Sequence, residues 1–317
     1  MFSVDSHLHV NFNGMSSRDI INYMDKDRID LCWLLTWEEV NPGHWEYKHL
    51  SVEAVYDAYL IYPSRIIAFY APDPHIELAS SQLEYWYYKG IRGCGELKAT
   101  LNWNSDEMKP FLKTVEKLKL PLVFHMEESR YCNIPYSDAI FDRMLFYALR
   151  TERKIYQIPK FVLNLLVKNY APLKGRTKSY FFPGYMLDFG SLESSLKDYP
   201  GVNFVAHGIM FWKHISNDAG NCFEALPKGP INGEGVIWRL LSDYPNLYAD
   251  LSAQSGLNAL ARDPQNARKF LSLFENKILY GTDNFIKGQR EFLNSLRLKK
   301  SSYNKIYGEN ACKIMGV

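Results

Sequence analysis

Ser3-Val4-Asp5-Ser6-His7-Leu8-His9-Val10 reads as a strand, and its two histidines decide how the rest of the chain is read. Side chains two apart in a strand share a face, so His7 and His9 aim together from one rigid support. Three more apolar runs end on a residue with chemistry: Pro121-Leu122-Val123-Phe124-His125, Val202-Asn203-Phe204-Val205-Ala206-His207-Gly208 and Lys277-Ile278-Leu279-Tyr280-Gly281-Thr282-Asp283. A polar group at the end of a buried strand is costly unless a partner or an ion satisfies it. An isolated His-X-His pair reads more readily as two hydrogen-bonded core histidines. Here four of the eight histidines stand at strand ends, which that reading does not explain. Strand ends converging on one face are the architecture of a (β/α)8 barrel, whose sites sit at the C-terminal ends of its strands.

The remaining pattern agrees. Short apolar runs predict strands at Ser3–Val10, Asp30–Thr36, Arg65–Tyr70, Gly90–Lys98, Pro121–Met126, Val202–Gly208, Leu247–Ala253 and Lys277–Thr282. Longer amphipathic stretches alternate with them, as in βα units around a parallel sheet. Ser51–Tyr62 opens on a capping serine with Glu53 in its first turn. Ser105–Lys119 carries Phe111, Leu112, Val115 and Leu118 at helical spacing. Gly233–Asp243 is similar, and Asp263 before Pro264 predicts a capped helix over Pro264–Phe274. Two more helices are expected near Gly288–Arg297 and Ser302–Met315. The expectation is an α/β fold, a single (β/α)8 TIM-barrel domain over residues 1–317. The alternative, an open doubly wound sheet, lacks a Gly-rich phosphate loop after the first strand.

One connection is too long for a barrel. Residues 127–187 read as a helical insertion after the fifth strand, with helices near Ser137–Arg150 and Pro159–Asn169. A basic and aromatic run follows, from Lys174 to Tyr185. The insertion reads equally as a lid or substrate wall and as an oligomer contact, so a homo-oligomer is allowed. Contact with a membrane surface is a weaker third reading.

Composition narrows the functions. Of 317 residues, 47% are hydrophobic and 23% charged, and the net charge is +2, so no large field attracts nucleic acid or a membrane. No basic stripe or recognition-helix pattern appears. No apolar run spans a bilayer, and no secretion signal is read at the N-terminus. The five cysteines are odd in number, scattered and outside Cys-X-X-Cys spacing. That opposes a disulfide framework and a cysteine zinc site. Cys32 and Cys94 read as core residues, and the expected compartment is the cytoplasm.

Further candidates lie at other strand ends. Glu96 and Lys98 share a face: Glu96 reads as a ligand or metal bridge, Lys98 as its ion-pair partner or as a holder of a substrate carboxylate. Asp5 reads as an acceptor behind the histidines or as part of a deeper layer. Asp250 and Ser252 share a face, with Asp250 able to hydrogen-bond His207. The loop Asn217–Asn232 and the segment Ser255-Gly256-Leu257-Asn258 read as framing a substrate, and Arg262-Asp263 as a structural pair. Trp37, Trp45, Trp103 and Trp212 follow strand ends, where packing is favoured over a pocket role.

With these residues in place, the chain resembles the amidohydrolase superfamily, in its amidohydrolase-related branch. The resemblance runs over nearly the whole length: Asp5-Ser6-His7-Leu8-His9, Gly95-Glu96-Leu97-Lys98, Phe124-His125, Ala206-His207-Gly208, residues 243–253, Gly281-Thr282-Asp283 and Tyr307-Gly308-Glu309-Asn310-Ala311. The insertion matches no family pattern. The resemblance implies a metal held by His7, His9 and His125, with Asp283 as ligand or general base and His207 orienting water or polarising substrate. Glu96 leaves the count at one or two divalent ions, with zinc expected from the imidazoles. It implies a metal-dependent hydrolase cleaving an amide, lactone or ester bond of a small molecule. Such a metal brings the pKa of water toward about 7. The alternative is a metal-dependent non-oxidative decarboxylase of a small carboxylic acid. A non-enzymatic barrel is the third possibility, and the full ligand set opposes it.

Overall fold

A computed structural model describes residues 2–37, 50–135, 165, 169, 177–182, 184–186, 188–222, 224–284 and 287–316. All eight predicted strands form: β1 (Val4–Leu8), β2 (Leu31–Leu34), β3 (Ile66–Ala68), β4 (Cys94–Leu97), β5 (Leu122–His125), β8 (Phe204–His207), β9 (Leu247–Asp250) and β10 (Ile278–Leu279). Two further strands, β6 (Arg130–Pro135) and β7 (Thr177–Phe182), belong to the insertion.

The eight barrel strands run parallel in two arcs, β1-β2-β3 and β10-β9-β8-β5-β4. Backbone hydrogen bonds cross both gaps. Between β3 and β4, Arg92 N donates to Ala68 O at 2.9 Å and Tyr70 N to Gly93 O at 3.0 Å. Between β10 and β1, Ser6 N donates to Tyr280 O and Asp283 N to His7 O, each at 2.9 Å. The ring is therefore closed by main-chain bonds, as a TIM barrel requires.

Alternation along the strands divides the core. Val4, Trp33, Leu35, Phe69, Val123, Val205, Tyr248 and Leu279 form an inner cluster, joined by Ala311 and Ile314. Their neighbours Cys32, Leu34, Leu122, Phe124, Phe204 and Ala206 belong to an outer layer packed on helices. Each such buried side chain contributes about 1.5–3 kcal/mol. Gly93 is where the inner layer is tightest: a Cβ there would lie 2.0 Å from Phe69 Cε1. Gly93→Ala is accordingly expected to cost about 1–3 kcal/mol by overpacking. Urea unfolding reads this, and a wild-type midpoint would refute it.

Helix ends follow the predicted caps. Ser51 accepts from Ala54 N to start α2 (Val52–Ile61), which follows α1 (Ser17–Asp27). Next come α3 (Ala79–Lys89), α4 (Met108–Lys117), α5 (Phe189–Asp198), α6 (Ile209–Lys213) and α7 (Val236–Asp243). Asp263 accepts from Asn266 N and Pro264 takes the first position of α9 (Pro264–Leu273). Ser255-Gly256-Leu257-Asn258 lies within α8 (Ala253–Ala261). α10 covers Gln289–Ser295. The last expected helix is broken into α11 (Lys300–Asn304), a π-helical turn over Lys305–Glu309 and α12 (Asn310–Met315). Gly308 lies in that turn, where a Cβ would come within 2.5 Å of Phe2 O.

The insertion begins differently from expectation. β6 and β7 pair antiparallel from Arg130 with Phe182 to Pro135 with Thr177, and Glu127 bridges Tyr185 at their base. Aromatic residues on both runs (Tyr131, Tyr180, Phe181 and Phe182) suit a strand pair. The helices expected at Ser137–Arg150 and Pro159–Asn169 lie outside the described residues, except for Leu165 and Asn169.

Candidate metal centre

The strand-end residues converge at one mouth of the barrel. His7, His9 and Glu96 bring one ligand atom each within 4.8 Å of one another, as do Glu96, His125 and His207, and His7, His207 and Asp283. His9 Nε2 lies 3.1 Å from His7 Nε2, 3.4 Å from Glu96 Oε2 and 3.5 Å from Asp283 Oδ1. The side chains of His7, His9 and Glu96 are at most 1% exposed, whereas Asp283 is 21% exposed, so Asp283 faces whatever enters.

Local irregularity aims these groups. The β1–β2 register shifts between Asp5 and Leu8, and the β4–β5 register between Cys94 and Leu97. Val4 still faces inward, but Asp5 turns outward. It accepts from Tyr23 of α1 and from the amide and hydroxyl of Thr282. Asp5 therefore does not orient the histidine rings, contrary to one sequence reading. Burial pushes its carboxyl up to about 6, against the opposing hydrogen bond from Thr282.

The carboxylate behind the histidines is Asp250. Its Oδ2 lies 3.0 Å from His7 Nδ1, and its Oδ1 lies 3.1 Å from His207 Nδ1. Ser252, 2.7 Å from His207 Nδ1, donates its hydroxyl to Asp250 Oδ1. His9 Nδ1 is fixed by Leu35 O at 2.9 Å. With both Nδ1 atoms donating, the Nε2 atoms of His7 and His9 present lone pairs to each other. That contact requires one positive charge, a proton or a metal ion. The basicities reflect this. Burial lowers both rings, but Asp250 and Glu96 carry His7 well above its ordinary value, while His9 stays below. Glu96 is held well below the usual carboxylate range despite burial, through Lys98 and the histidines. A metal fits this donor set, and Asp283 Oδ1 is buried with no hydrogen-bond partner.

Two residues had no clear sequence signal as site members. Glu127 Oε2 lies 3.0 Å from His125 Nε2, while Glu96 Oε1 lies 2.8 Å from His125 Nδ1. His125 is thus bracketed by two carboxylates. They raise its basicity against the opposing effect of burial. The only hint was its spacing two beyond His125. Asn284 accepts from His9 N and donates to His9 O, each at 2.8 Å, locking the loop after β10 onto β1. Asp283 and Asn284 both have left-handed backbone, at φ 47 and 64°.

Lys98 Nζ is 3.0 Å from Glu96 Oε2 and 3.5 Å above the Trp37 ring, whose centre is 4.4 Å from that of His9. Trp37 therefore borders the site. Trp103 is packing, against Phe124 and Phe204. Trp212 donates to Asp250 O, and Trp45 lies outside the described residues. The Arg262–Asp263 pair does not form. Asp263 spends Oδ1 on Asn266 N and Oδ2 on Ile231 N, and so is committed elsewhere. A cleft of about 800 Å³ between α1 and α10, lined by Tyr23, Arg28, Tyr280 and Arg290, lies on the barrel's flank rather than at this mouth.

Solved structures share this architecture over the whole chain. An uncharacterized TIM-barrel protein from Bordetella bronchiseptica superposes with a TM-score of 0.59 at 12% identity, covering 100% of this chain and 99% of its own. A "probable 2-pyrone-4,6-dicarboxylic acid hydrolase" from Acinetobacter baumannii, with citric acid bound, gives 0.53 at 14%, covering 100% of both chains. The fold shared with these structures is a TIM barrel. A dihydroxybenzoic acid decarboxylase from Polaromonas sp. JS666, with manganese and 2-nitroresorcinol bound, matches this chain with a TM-score of 0.54 at 15% identity, covering 99% of this chain and 97% of its own. No family model matches the sequence, and no curated protein matches it. No helix among the described residues is long and apolar enough to cross a membrane.

Asp250 serves two rings at once, which sets an expectation. Asp250→Asn keeps the shape but offers one oxygen and one amide. One histidine then faces a donor at Nδ1 and turns its proton toward the metal side. Metal affinity is expected to fall about 10–100-fold. Competition with a chelator measures this, and wild-type affinity would remove Asp250 from the assigned role.

Proposed function

We propose that the protein is a metal-dependent hydrolase acting on an amide, lactone or ester bond of a small molecule. The observation that carries this is the facing pair of His7 and His9 Nε2 atoms beside Glu96 and an unpartnered buried Asp283 oxygen. His7, His9 and Asp283 would hold one divalent ion. Glu96 would join them or, with His125 and His207, bridge to a second. Such an ion supplies Lewis acidity and brings water's pKa toward neutral. Asp283, its Oδ1 buried beside His9 and its side chain 21% exposed, would take the proton on its carboxylate and return it to the leaving group. His207, its Nδ1 backed by Asp250, would orient the attacking water or stabilise the oxygen that becomes negative. Lys98 stands at the mouth for an acidic or polar substrate group. The insertion begins beside His125, through the Glu127–Tyr185 bridge, which favours its reading as a wall of this site.

A second reading, non-oxidative decarboxylation, is favoured by the structural neighbours named as decarboxylases, one with manganese. Carbon dioxide in the headspace separates the two. The test of the shared proposal is metal content per chain after purification without a chelating column, for wild type and Glu96→Ala. Two ions falling to one or none make Glu96 a ligand and favour hydrolysis. One ion unchanged by Glu96→Ala means a mononuclear site and lifts decarboxylation beside hydrolysis. No ion in either protein, even after reconstitution, refutes the proposal.

A further inference from the structure

Arg262, freed from Asp263, lies against two adjoining hollows. The wider has a volume of about 110 Å³ and is lined by Lys213, Lys228, Arg262, Asp218, Ser216 and Asn232, among others. The narrower brings Arg262 and Lys213 together with Ser255 and Asn258. Two polar groups around these hollows are unsatisfied, one of them, Ser255, on the narrower, which has no room for a ligand. The Ser255 hydroxyl, in a residue only 4% exposed, has no hydrogen-bond partner, and neither has the buried Nε of Arg262. Leaving such a group unpaired costs about 1–3 kcal/mol. Position at the C-terminus of α8 suits a cation by the helix dipole. That accounts for a positive charge but not for two orphaned donors.

The charges are unevenly compensated. Lys213 Nζ is held by Glu128 at 3.0 and 3.1 Å. Asp218, the carboxylate on the wall, receives hydrogen bonds from the Ser216 hydroxyl and the Asn232 amide, each at 2.6 Å. Neither Lys228 nor Arg262 is within ion-pair distance of a carboxylate among the described residues, although Asp218 and Asp263 are near enough to attract Arg262. The hollow also lies close to the metal-side strand ends. Trp212, next to Lys213, donates to Asp250 O. Glu128 adjoins Glu127, which touches His125.

We propose that this hollow binds a small oxyanion, a phosphate or carboxylate group, held by the fork of Arg262 with Lys228 and Lys213 beside it. A guanidinium matches two oxygens of such a group in one plane. The volume admits a group of a few heavy atoms and not a whole substrate. The site stands apart from the metal proposal and does not need it.

The experiment is calorimetric titration of inorganic phosphate, at ionic strength matched with chloride, into wild type, Arg262→Met, Lys228→Met and metal-stripped wild type. Saturable binding of one phosphate per chain is expected, weakened about tenfold or more by Arg262→Met, as for loss of one charge-assisted contact. Lys228→Met should weaken it to a smaller degree, and metal stripping should leave it unchanged. Lys228 is exposed, so that variant decides if Arg262→Met fails to fold. Absence of saturable binding in wild type, or equal binding in both variants, overturns the site. Binding lost on metal stripping places the anion at the metal centre and overturns it too, leaving the metal proposal intact. Glutarate then separates the sources. If it displaces phosphate and binds more tightly with metal present, the hollow takes the acidic end of a longer molecule. If metal makes no difference, it takes a free anion.

Discussion

His9→Ala is expected to lose its metal and, with it, turnover. Three of the short distances that define the centre are measured from His9 Nε2, to His7, Glu96 and Asp283. Leu35 O and the Trp37 ring lie on its other sides, and the groupings that omit it, His7 with His207 and Asp283 and Glu96 with His125 and His207, would have to hold the ion without it. An outer partner of a ligand costs about 10–100-fold in affinity, and a ligand should cost more than that. The ring is fully buried, so stability will fall as well. Circular dichroism must therefore show a folded protein before its metal is counted. A folded His9→Ala chain holding wild-type metal would remove His9 from the centre.

Asp283→Asn should separate chemistry from metal retention. An amide keeps an oxygen for the ion but cannot take a proton, and loss of a general base costs about 10²–10⁴ in rate. The substitution is sterically mild here. The backbone at 283 is fixed by its amide to His7 O and by the neighbouring Asn284 clasp on His9, not by the Asp283 side chain. The expected protein is folded, retains part of its metal and turns over at the background rate. Normal turnover with unchanged metal would give the base to another group.

Much of this was legible because buried strands write themselves as short apolar runs, and a histidine ending such a run has few other reasons to be there. His125 and His207 show this most clearly, opposite each other in the register of β5 and β8. What was not legible came from events that spacing does not encode. A register shift in β1 turned Asp5 away from the face it was expected to share with His7. The role expected near Asp5 fell to Asp250, which reaches two rings that lie 243 and 43 positions away in sequence. Arg262 and Asp263 are neighbours in sequence, yet the helix cap takes one Asp263 oxygen and the distant Ile231 amide takes the other. Local competition for hydrogen bonds decided the outcome, and it is invisible until the helix start is known. The β6–β7 pair was hidden by the helical reading of the long connection between β5 and β8.

The seam between β10 and β1 has a consequence for how the protein becomes active. His9 and Asn284 meet across 275 positions, so the first and last strands must find each other before the centre exists at all. Closing so long a loop costs entropy that only the finished ring returns. A chain folded up to β9 would hold the histidines of β1, β5 and β8 but neither Asp283 nor the clasp that fixes His9. Its partial site would be open on one side. Competence therefore arrives with the last strand rather than growing strand by strand. A nascent or nicked chain lacking that strand is left without Asp283, the group we propose for proton transfer.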